Sequence, residues 1–159
     1  MPRRRSSPRK QERSGFGVRG SRRTPRASSL EPRAALNLPI GCGVDVVELK
    51  RFTRSMKRGG ARFVRRIFTP HEEAYARARR RTTLLHLAGR FAAKEAIIKA
   101  ISQVSPSRVP AMNRIEIRND GLGRPRAVLL DGKGAALRVY VSLSHVNTVA
   151  VASAIVVRR

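Results

Sequence analysis

The segment GRFAAKEAIIK, residues 89–99, is the part of the sequence that decides the fold. It lies in a proline-free stretch, residues 83–102, whose apolar residues recur at the helical period and predict one long helix. On a helical wheel that advances about 100° per residue, one sector collects Leu84, Leu87, Ala88, Phe91, Ala92 and Ile98. Glu95 falls near the centre of this sector, and Lys99 falls beside it. The sequence therefore predicts a carboxylate on the face of the helix that meets the core.

A carboxylate on a core face needs a cationic partner. Without one, its burial costs several kcal/mol or forces it to take up a proton. Lys99, one turn later, gives a Glu–Lys pair worth about 0.2–0.5 kcal/mol on an open helix surface. A divalent metal ion is the other partner that the wheel leaves open.

Asp45 is a second carboxylate in apolar surroundings. The stretch PIGCGVDVV, residues 39–47, predicts the first strand, and Asp is depleted in strands. Strand alternation places Asp45 with Gly41 and Gly43 on one face, where glycines leave room for a ligand or another backbone. The opposite face then carries Ile40, Cys42, Val44 and Val46. The alternative is that Asp45 ends the strand or caps the helix that follows.

Asp45 and Glu95, if they lie side by side, would repel unless one takes up a proton or a cation lies between them. A hard divalent ion with few protein ligands suits such a pair, and this is the pattern of magnesium. Three basic residues on the Glu95 helix could supply positive charge to phosphate oxygens, namely Arg90, Lys94 and Lys99.

The remaining segments predict several helices followed by a run of strands. A basic helix is expected over residues 48–56, ended by a glycine pair, with a second helical piece over 61–68. A capping box from Thr69 to Glu72 starts another helix. Strands are expected over residues 114–118, 127–130, 138–144 and 148–157. This order predicts an α+β fold, with helices packed on an antiparallel sheet.

The 159 residues carry a net charge of +25, which is unevenly distributed. Residues 1–36 hold 11 Lys and Arg against 2 acidic residues and predict a disordered basic arm. This arm is open to interpretation as a nucleic-acid-binding tail, an organelle transit peptide or an upstream extension without function. Residues 37–159, the expected folded domain, hold 24 basic against 8 acidic residues. Such a surface indicates an acidic partner: nucleic acid, an anionic membrane, a phosphorylated small molecule or an acidic protein.

The cellular compartment is indicated by cysteine usage and hydropathy. Cys42 is the single cysteine, which excludes a disulfide framework and a cysteine-based zinc cluster and suits a reducing compartment. No apolar run approaches the roughly 20 residues that span a bilayer. The basic N-terminus is followed by no apolar segment of the secretory type. We therefore expect a cytoplasmic protein without a membrane span.

Three blocks of the sequence, in order, resemble one enzyme family. GCGVDVVELKRF (41–52) resembles the G-x-G-x-D opening of holo-[acyl-carrier-protein] synthases, and GRFAAKEAIIKA (89–100) resembles their W/F-x-x-K-E-A-x-x-K signature. VSLSHVNTVAVASAIV (141–156) resembles their closing S-x-S-H segment and last strand, and GRP (123–125) matches their G-x-P turn. The resemblance covers roughly residues 38–157, leaves the arm outside, and implies the 4′-phosphopantetheinyl transferase fold.

The resemblance also implies an activity and a set of site residues. These enzymes transfer the 4′-phosphopantetheine arm of coenzyme A to a serine of apo acyl carrier protein and release adenosine 3′,5′-bisphosphate, in support of fatty acid biosynthesis. Asp45 and Glu95 are implied as ligands of a Mg²⁺ ion that also holds the coenzyme A diphosphate. Lys99 is implied to pair with Glu95 and also to neutralise the negative charge that develops on phosphate. The further residues expected to contact coenzyme A are Arg90, Lys94, Ser144 and His145.

The resemblance is less specific about the general base that takes the serine proton and about the binding partners. Glu95, a water on the metal and His145 can each take the serine proton; Glu95 acting through water is favoured, and His145 is alternatively a structural turn residue. The acidic carrier is expected to meet Lys50 and Arg51, since complementary charge speeds encounter. Family members of this short type form homotrimers with active sites between neighbouring subunits, so the same is expected here.

A basic RNA- or DNA-binding protein is the alternative from another functional class. The net charge and the arginine clusters favour it. Against it, the folded region has few aromatic residues for base stacking and neither an RNP-like strand nor zinc-finger spacing. It also leaves the two carboxylates in apolar surroundings unexplained, so nucleic acid is the less favoured partner.

Overall fold

The computed structural model describes residues 40–132 and 136–159, and the predicted arm, residues 1–36, lies outside them. The helices are α1 (Leu49–Ile67), α2 (Pro70–Arg77) and α3 (Thr83–Val104). The strands are β1 (Ile40–Glu48), β2 (Ile115–Asn119), β3 (Pro125–Leu129), β4 (Leu137–His145) and β5 (Val149–Arg158). The long helix predicted over 83–102 is confirmed and continues for two further residues. None of the helices in the described ranges has the length and apolar character needed to cross a bilayer.

The strands form two antiparallel sheets, where the sequence suggested a single one. The larger sheet has the order β1-β5-β4, with Asp45 opposite Ala152. The smaller is the β2–β3 hairpin, whose turn is organised by Asp120 accepting backbone N–H groups from Leu122 and Arg124. The α+β class with antiparallel strands is thus confirmed.

Helix α3 packs on β1 at two glycines. A Cβ atom at Gly43 would lie 2.1 Å from the carbonyl oxygen of Ala96, and one at Gly41 would lie 2.2 Å from that of Ala100. The adjoining face of β5 is equally small, since it presents the buried residues Ala150, Ala152 and Ala154. The glycines beside Asp45 therefore make room for the backbone of α3, which was one of the two uses that the sequence left open.

The prediction for the core face of α3 is only partly correct, since Leu87, Ala88 and Ala92 are buried but the centre of the sector is not. The helix is buried on nearly all sides, and its most accessible strip is the centre of the sector assigned to the core: Leu84, Phe91, Glu95, Ile98 and Lys99. Leu84 is 40% exposed, whereas Ala93, Ala96 and Ile97 are fully buried. The physical reason is the close helix–sheet contact: Ala96 and Ala100 lie against the glycines of β1, and this turns the centre of the predicted sector away from the strand.

The entry to α2 and the break in α1 follow the sequence. Gly60 has φ 53° and ψ −148° inside α1, a conformation that favours glycine, so the predicted break is confirmed. Thr69 is the N-cap of α2: its side chain accepts from the Glu72 backbone N–H, and the Glu72 carboxylate accepts from the Thr69 backbone N–H at 2.9 Å. The predicted capping box is confirmed.

The free edge of β1 is covered by side chains from α3. The Gln103 amide donates to the Cys42 carbonyl at 2.6 Å and accepts from the Cys42 N–H at 3.1 Å. Lys99 donates to the Val44 carbonyl at 2.9 Å. These contacts satisfy backbone groups that an edge strand otherwise leaves open to pairing with another chain.

The three-stranded sheet has α3 on one face only. The other face exposes large apolar side chains, namely Ile40, Val44, Val46, Tyr140, Val151 and Ile155. Val46, for example, is 64% exposed. A contiguous apolar patch of this kind indicates a surface that another protein covers.

Candidate active site

Asp45 and Glu95 line the same pocket, together with Lys99. The pocket has a volume of about 560 Å³ and lies between the end of β1, the first turns of α1 and the middle of α3. Its apolar wall is formed by Phe52, Phe63 and Phe91, and its rim also carries Glu48, Arg51 and Ser55. The assumption that two carboxylates far apart in sequence meet in space therefore holds.

Asp45 reaches this pocket from the middle of β1. The strand continues beyond it to Glu48, and Asp45 keeps its ladder position opposite Ala152. The N-cap of α1 is Glu48, so Asp45 neither ends the strand nor caps the helix. Its side chain is 17% exposed, on the same side of the strand as the glycines that admit α3.

Glu95 is partly buried and lacks a full set of compensating contacts. Burial raises the pKa of its carboxyl above the ordinary value, and the negative charge of Asp45 raises it further. Lys99 opposes both effects with a smaller influence on the same pKa. A perturbed carboxyl in a pocket, with a second carboxylate beside it, is a strong candidate for a functional group.

Lys99 pairs with Asp45, whereas the sequence offered it as a partner of Glu95. Its ammonium donates to Asp45 Oδ1 at 2.8 Å, and this hydrogen bond raises the pKa of Lys99. The helix is therefore joined to the strand by an ion pair directly at the candidate site.

The prediction that Lys94 contacts coenzyme A is not retained. Lys94 has no exposed surface, and its ammonium lies 2.5 Å from Glu72 Oε2 and donates to the Ile67 carbonyl. Glu72 Oε1 also accepts from the Ile117 backbone N–H at 2.9 Å. Lys94 therefore joins α3 to the start of α2 and to β2, and a phosphate in solution cannot reach it. The sequence identified Glu72 only as part of a capping box, because its buried partner is 22 residues away.

Arg90 is likewise buried, with 3% exposure. It donates to Asn119 Oδ1 at 2.9 Å and to the His86 carbonyl, and its guanidinium stacks 3.9 Å from the centre of the Tyr75 ring. Arg79 stacks on the same ring at 3.5 Å. Direct contact between Arg90 and coenzyme A is therefore not retained either, and Arg90 instead fixes Tyr75. Nothing in the sequence predicted that the Tyr75 ring would stack with two arginines.

Ser144 and His145 lie at the exposed end of β4. The His145 ring packs edge-to-face on His86 at 5.8 Å, and His86 packs the same way on Tyr75 at 5.6 Å. Burial lowers the pKa of His86, and the positive charge of Arg90 lowers it further. His86 and Glu95 are nine residues apart on α3, or about 14 Å along its axis. The predicted residues thus form two groups, one at Asp45–Glu95–Lys99 and one around His145.

Lys50 and Arg51 are exposed on the first turn of α1. Arg51 also lines the pocket of Asp45 and Glu95. The helix has no acidic residue between 49 and 67 and continues with further cations, namely Arg54, Lys57, Arg58, Arg62, Arg65 and Arg66. The rim of the site is therefore continuous with a strongly basic surface.

The donor set fits a hard divalent cation that needs few protein ligands. Two carboxylates converge, and the described residues hold no cluster of three or more His, Cys, Asp or Glu side chains. Structural zinc sites use four nitrogen or sulfur ligands, whereas Mg²⁺ is held by one or two carboxylates plus waters and phosphates. Asp45 and Glu95 match the second pattern.

Comparison with known sequences gives consistent matches. The sequence model of the 4′-phosphopantetheinyl transferase superfamily matches residues 41–154. The holo-[acyl-carrier-protein] synthase of Protochlamydia amoebophila is 36% identical over 121 residues, which cover 74% of this chain and 98% of that protein. The enzyme of the same name from Halalkalibacterium halodurans is 40% identical over 121 residues, which cover 75% and 96%.

Solved structures share the fold. The ACPS–CoA complex of Chronobacterium ammoniagenes has a TM-score of 0.65 at 30% identity, covering 76% of this chain and 98% of that one. The holo-[acyl-carrier-protein] synthase of Helicobacter pylori in complex with coenzyme A has a TM-score of 0.61 at 27% identity, covering 74% and 99%.

Proposed function

The chain belongs to the 4′-phosphopantetheinyl transferase superfamily, and on that premise we propose that it is a holo-[acyl-carrier-protein] synthase. It transfers the 4′-phosphopantetheine arm of coenzyme A to a serine of an apo acyl carrier protein and releases adenosine 3′,5′-bisphosphate. The convergence of Asp45, Glu95 and Lys99 in one pocket is the observation that carries the proposal. Fatty acid biosynthesis is the pathway proposed to use the product.

The reaction exchanges one phosphorus–oxygen bond for another. The serine oxygen of the carrier bonds to the phosphorus that bears pantetheine, and the bridging oxygen of the diphosphate leaves with the electron pair. Such transfers depend on positioning and on neutralising phosphate charge. Lys99, whose ammonium is half-exposed beside Asp45, is proposed to neutralise the leaving oxygens.

The serine proton must pass to a base, and Glu95 acting through a water molecule is the group proposed. Glu95 lines the pocket beside Asp45 and Lys99, where its carboxylate can accept the proton through a water molecule. His145 is not favoured for this role, since it packs on His86, which lies about 14 Å from Glu95 along the axis of α3.

Magnesium dependence is part of the proposal. Asp45 and Glu95 would hold the ion, which when bound supplies Lewis-acid stabilisation of the diphosphate charge. The two carboxylates leave the remaining positions to water and phosphate oxygens, as Mg²⁺ prefers.

Coenzyme A is proposed to extend from this pocket toward Ser144 and His145. Both are exposed at the end of β4, and the neighbouring Arg79 adds positive charge. Arg90 and Tyr75 hold this region in place from beneath.

Helix α1 is the surface proposed to meet the acidic carrier. Lys50 and Arg51 lie at its start, beside the pocket. Farther along the helix, a cavity of about 840 Å³ is lined by Arg62, Arg66 and Met112 among others. Complementary charge of this kind accelerates association more than it increases affinity.

The assembly is proposed to be a homotrimer with active sites between neighbouring subunits. The open apolar face of the three-stranded sheet supports it, because large exposed side chains such as Val46 require cover. A cytoplasmic location is proposed with it, since Cys42 is an exposed free thiol.

Mass spectrometry tests the function. An apo carrier incubated with coenzyme A, Mg²⁺ and this protein is expected to gain one phosphopantetheine on one serine. Asp45→Ala and Glu95→Ala, with folding verified by circular dichroism, are expected to abolish the gain. A folded protein that leaves the carrier unmodified but retards RNA in a gel at physiological salt would instead establish the nucleic-acid-binding alternative.

A further inference from the structure

Among the residues that the structure describes, Lys99 is the cation that pairs with the Asp45 carboxylate. Its Nζ donates to Asp45 Oδ1 at 2.8 Å and to the Val44 carbonyl at 2.9 Å. The Lys99 side chain is 49% exposed, whereas that of Asp45 is 17% exposed. The strand therefore holds the Lys99 ammonium, while about half of the surface of this side chain is open to solvent.

The same ammonium lies where two cavities meet. Lys99 lines the pocket that holds Asp45 and Glu95, and it also lines an adjoining cavity of about 660 Å³. The second cavity is bounded by the edge of β1 and by α3, and its lining includes Cys42, Ser102 and Ser153. A rotation of the Lys99 stem can therefore carry its charge out of the carboxylate pocket without moving the backbone.

We infer that Lys99 is the resident counter-ion of Asp45 in the metal-free enzyme and that it releases Asp45 when a divalent cation binds. The inference rests on the carboxylate site of the proposed function. Two ionised carboxylates in one pocket repel each other, and Lys99 supplies positive charge beside Asp45 before the metal arrives. Lys99 occupies Oδ1 of Asp45, one of the two carboxylate oxygens that could ligate a metal shared with Glu95.

The energetics permit this exchange. An ion pair with one half-exposed partner is worth about 0.2–1 kcal/mol. Competition from Lys99 therefore weakens cation binding by a factor of up to about five. Once released, the ammonium is available to phosphate oxygens of coenzyme A. The same side chain therefore pairs first with Asp45 and then with the substrate.

Divalent-cation binding to matched variants tests the inference. Mn²⁺ is titrated into the full chain without coenzyme A or carrier, and free Mn²⁺ is followed by electron paramagnetic resonance. Lys99→Met is expected to bind Mn²⁺ more tightly than the wild type, by a factor of up to about five. Lys99→Arg keeps the charge and a donor for Asp45, so it is expected to bind no more tightly than the wild type. Arg51→Met removes the same charge from the same pocket without removing a bond to Asp45, and a smaller change is expected.

A second readout follows the ammonium itself. The ¹⁵Nζ resonance of Lys99 is expected to move when Mg²⁺ is added to the wild type, because the bond to Asp45 is lost. In metal-free Asp45→Asn the resonance is expected to start near the magnesium-loaded position. An ammonium resonance that Mg²⁺ leaves unchanged would contradict release.

The outcomes separate this inference from the proposed function. Equal or weaker Mn²⁺ binding by Lys99→Met, in a preparation whose wild type modifies the carrier with Mg²⁺, overturns the inference and leaves the function intact. An equal gain in Lys99→Met and Arg51→Met also overturns it, because general charge would then explain the effect. A wild type that binds no Mn²⁺ in the absence of coenzyme A also overturns the inference, because no cation then displaces Lys99 before the substrate arrives, whereas the metal site itself is tested with coenzyme A present.

Discussion

Lys94 and Glu95 are adjacent on α3, yet their surroundings differ completely. Lys94 has no exposed surface and is paired with Glu72, whereas Glu95 lines a pocket beside Asp45. Their side chains point about 100° apart around the helix axis. The difference shows that the environment of a charge on a central helix depends on which elements pack against each side. It does not depend on the position of the charge within the apolar pattern of the helix itself.

The two charges also differ in how completely they are compensated. Lys94 has Glu72 and the Ile67 carbonyl as partners, and Glu72 has two backbone N–H donors besides. Glu95 has burial and a like charge as the main influences on its pKa. A satisfied buried pair indicates a structural role, and a partly buried carboxyl that repels its neighbour indicates a site for a cation.

Removal of the buried cation is expected to have the largest effect. Lys94→Met leaves the Glu72 carboxylate buried without its charge partner, so we expect a loss of about 3–5 kcal/mol in the free energy of unfolding. The double variant, in which Glu72→Gln also removes the unpaired buried charge, should recover roughly half of the lost free energy of unfolding. Urea denaturation measures both.

Arg77→Met is the matched control, because it breaks an exposed pair with Glu73. Its expected cost is about 0.3–0.5 kcal/mol. A cost for Lys94→Met as small as that of Arg77→Met would show that the Lys94–Glu72 pair does not hold α3 in place.

The closeness of α3 to β1 is the next target. Gly43→Ala would place a Cβ atom 2.1 Å from the Ala96 carbonyl oxygen, so the helix must move away from the strand. Overpacking of this kind is expected to cost about 1–3 kcal/mol in the free energy of unfolding, measured by thermal denaturation. It should also reduce transfer activity, since Asp45 and Glu95 lie on the two elements that separate.

Gly121→Ala serves as the control, because no atom lies within 4 Å of the added Cβ and the backbone does not have positive φ. It is expected to be neutral or slightly stabilising. Equal effects at the two glycines would mean that helix–strand contact does not set the geometry of the site.

Neutralising Glu95 is expected to have the smallest effect on stability, and its sign is opposite. Because the pKa of Glu95 is raised in the folded protein, the ionised side chain lowers stability at pH values above that pKa. Glu95→Gln removes this penalty, so the variant should unfold at a slightly higher denaturant concentration at neutral pH. The gain is expected to stay below about 1 kcal/mol because the carboxyl is partly solvated.

The gain should shrink as pH falls through the raised pKa, since the wild-type carboxyl then becomes neutral as well. Unfolding curves from neutral to acidic pH check the trend. Transfer activity should nevertheless fall by about 10²–10⁴-fold. A stability loss in Glu95→Gln at neutral pH would place Glu95 among the structural charges with Lys94.

Local sequence signals predicted much of the fold. The capping box at Thr69, the break at Gly60 and the start of α3 at Thr83 all depend on neighbours within a few residues, and each is confirmed. The segregation of β2 and β3 into their own hairpin was not predicted, because strand partners are chosen by tertiary packing.

The structure brings Asp45, Glu95 and Lys99 to one pocket, but the sequence pointed to Glu95 partly for the wrong reason. The sequence placed Glu95 on the core face by following large apolar side chains such as Phe91. The better signal was the pair of alanines that lie against the glycines of β1, Ala96 and Ala100, which fall outside the sector assigned to the core. Lys94 and Arg90 were assigned to phosphate because their partners, Glu72 and Asn119, are brought to them only by folding.

The central claim is that Asp45 and Glu95 bind one divalent cation together. Mn²⁺ binding in the presence of coenzyme A and without carrier tests it most directly, with coenzyme A alone as the blank. The wild type should bind one Mn²⁺ per chain, Asp45→Asn and Glu95→Gln should each lose that binding, and Glu48→Gln, an exposed carboxylate of the same pocket, should keep it. If Asp45→Asn or Glu95→Gln still bound the ion, the account would be contradicted. It would also be contradicted if Glu48→Gln were the one variant to lose the ion.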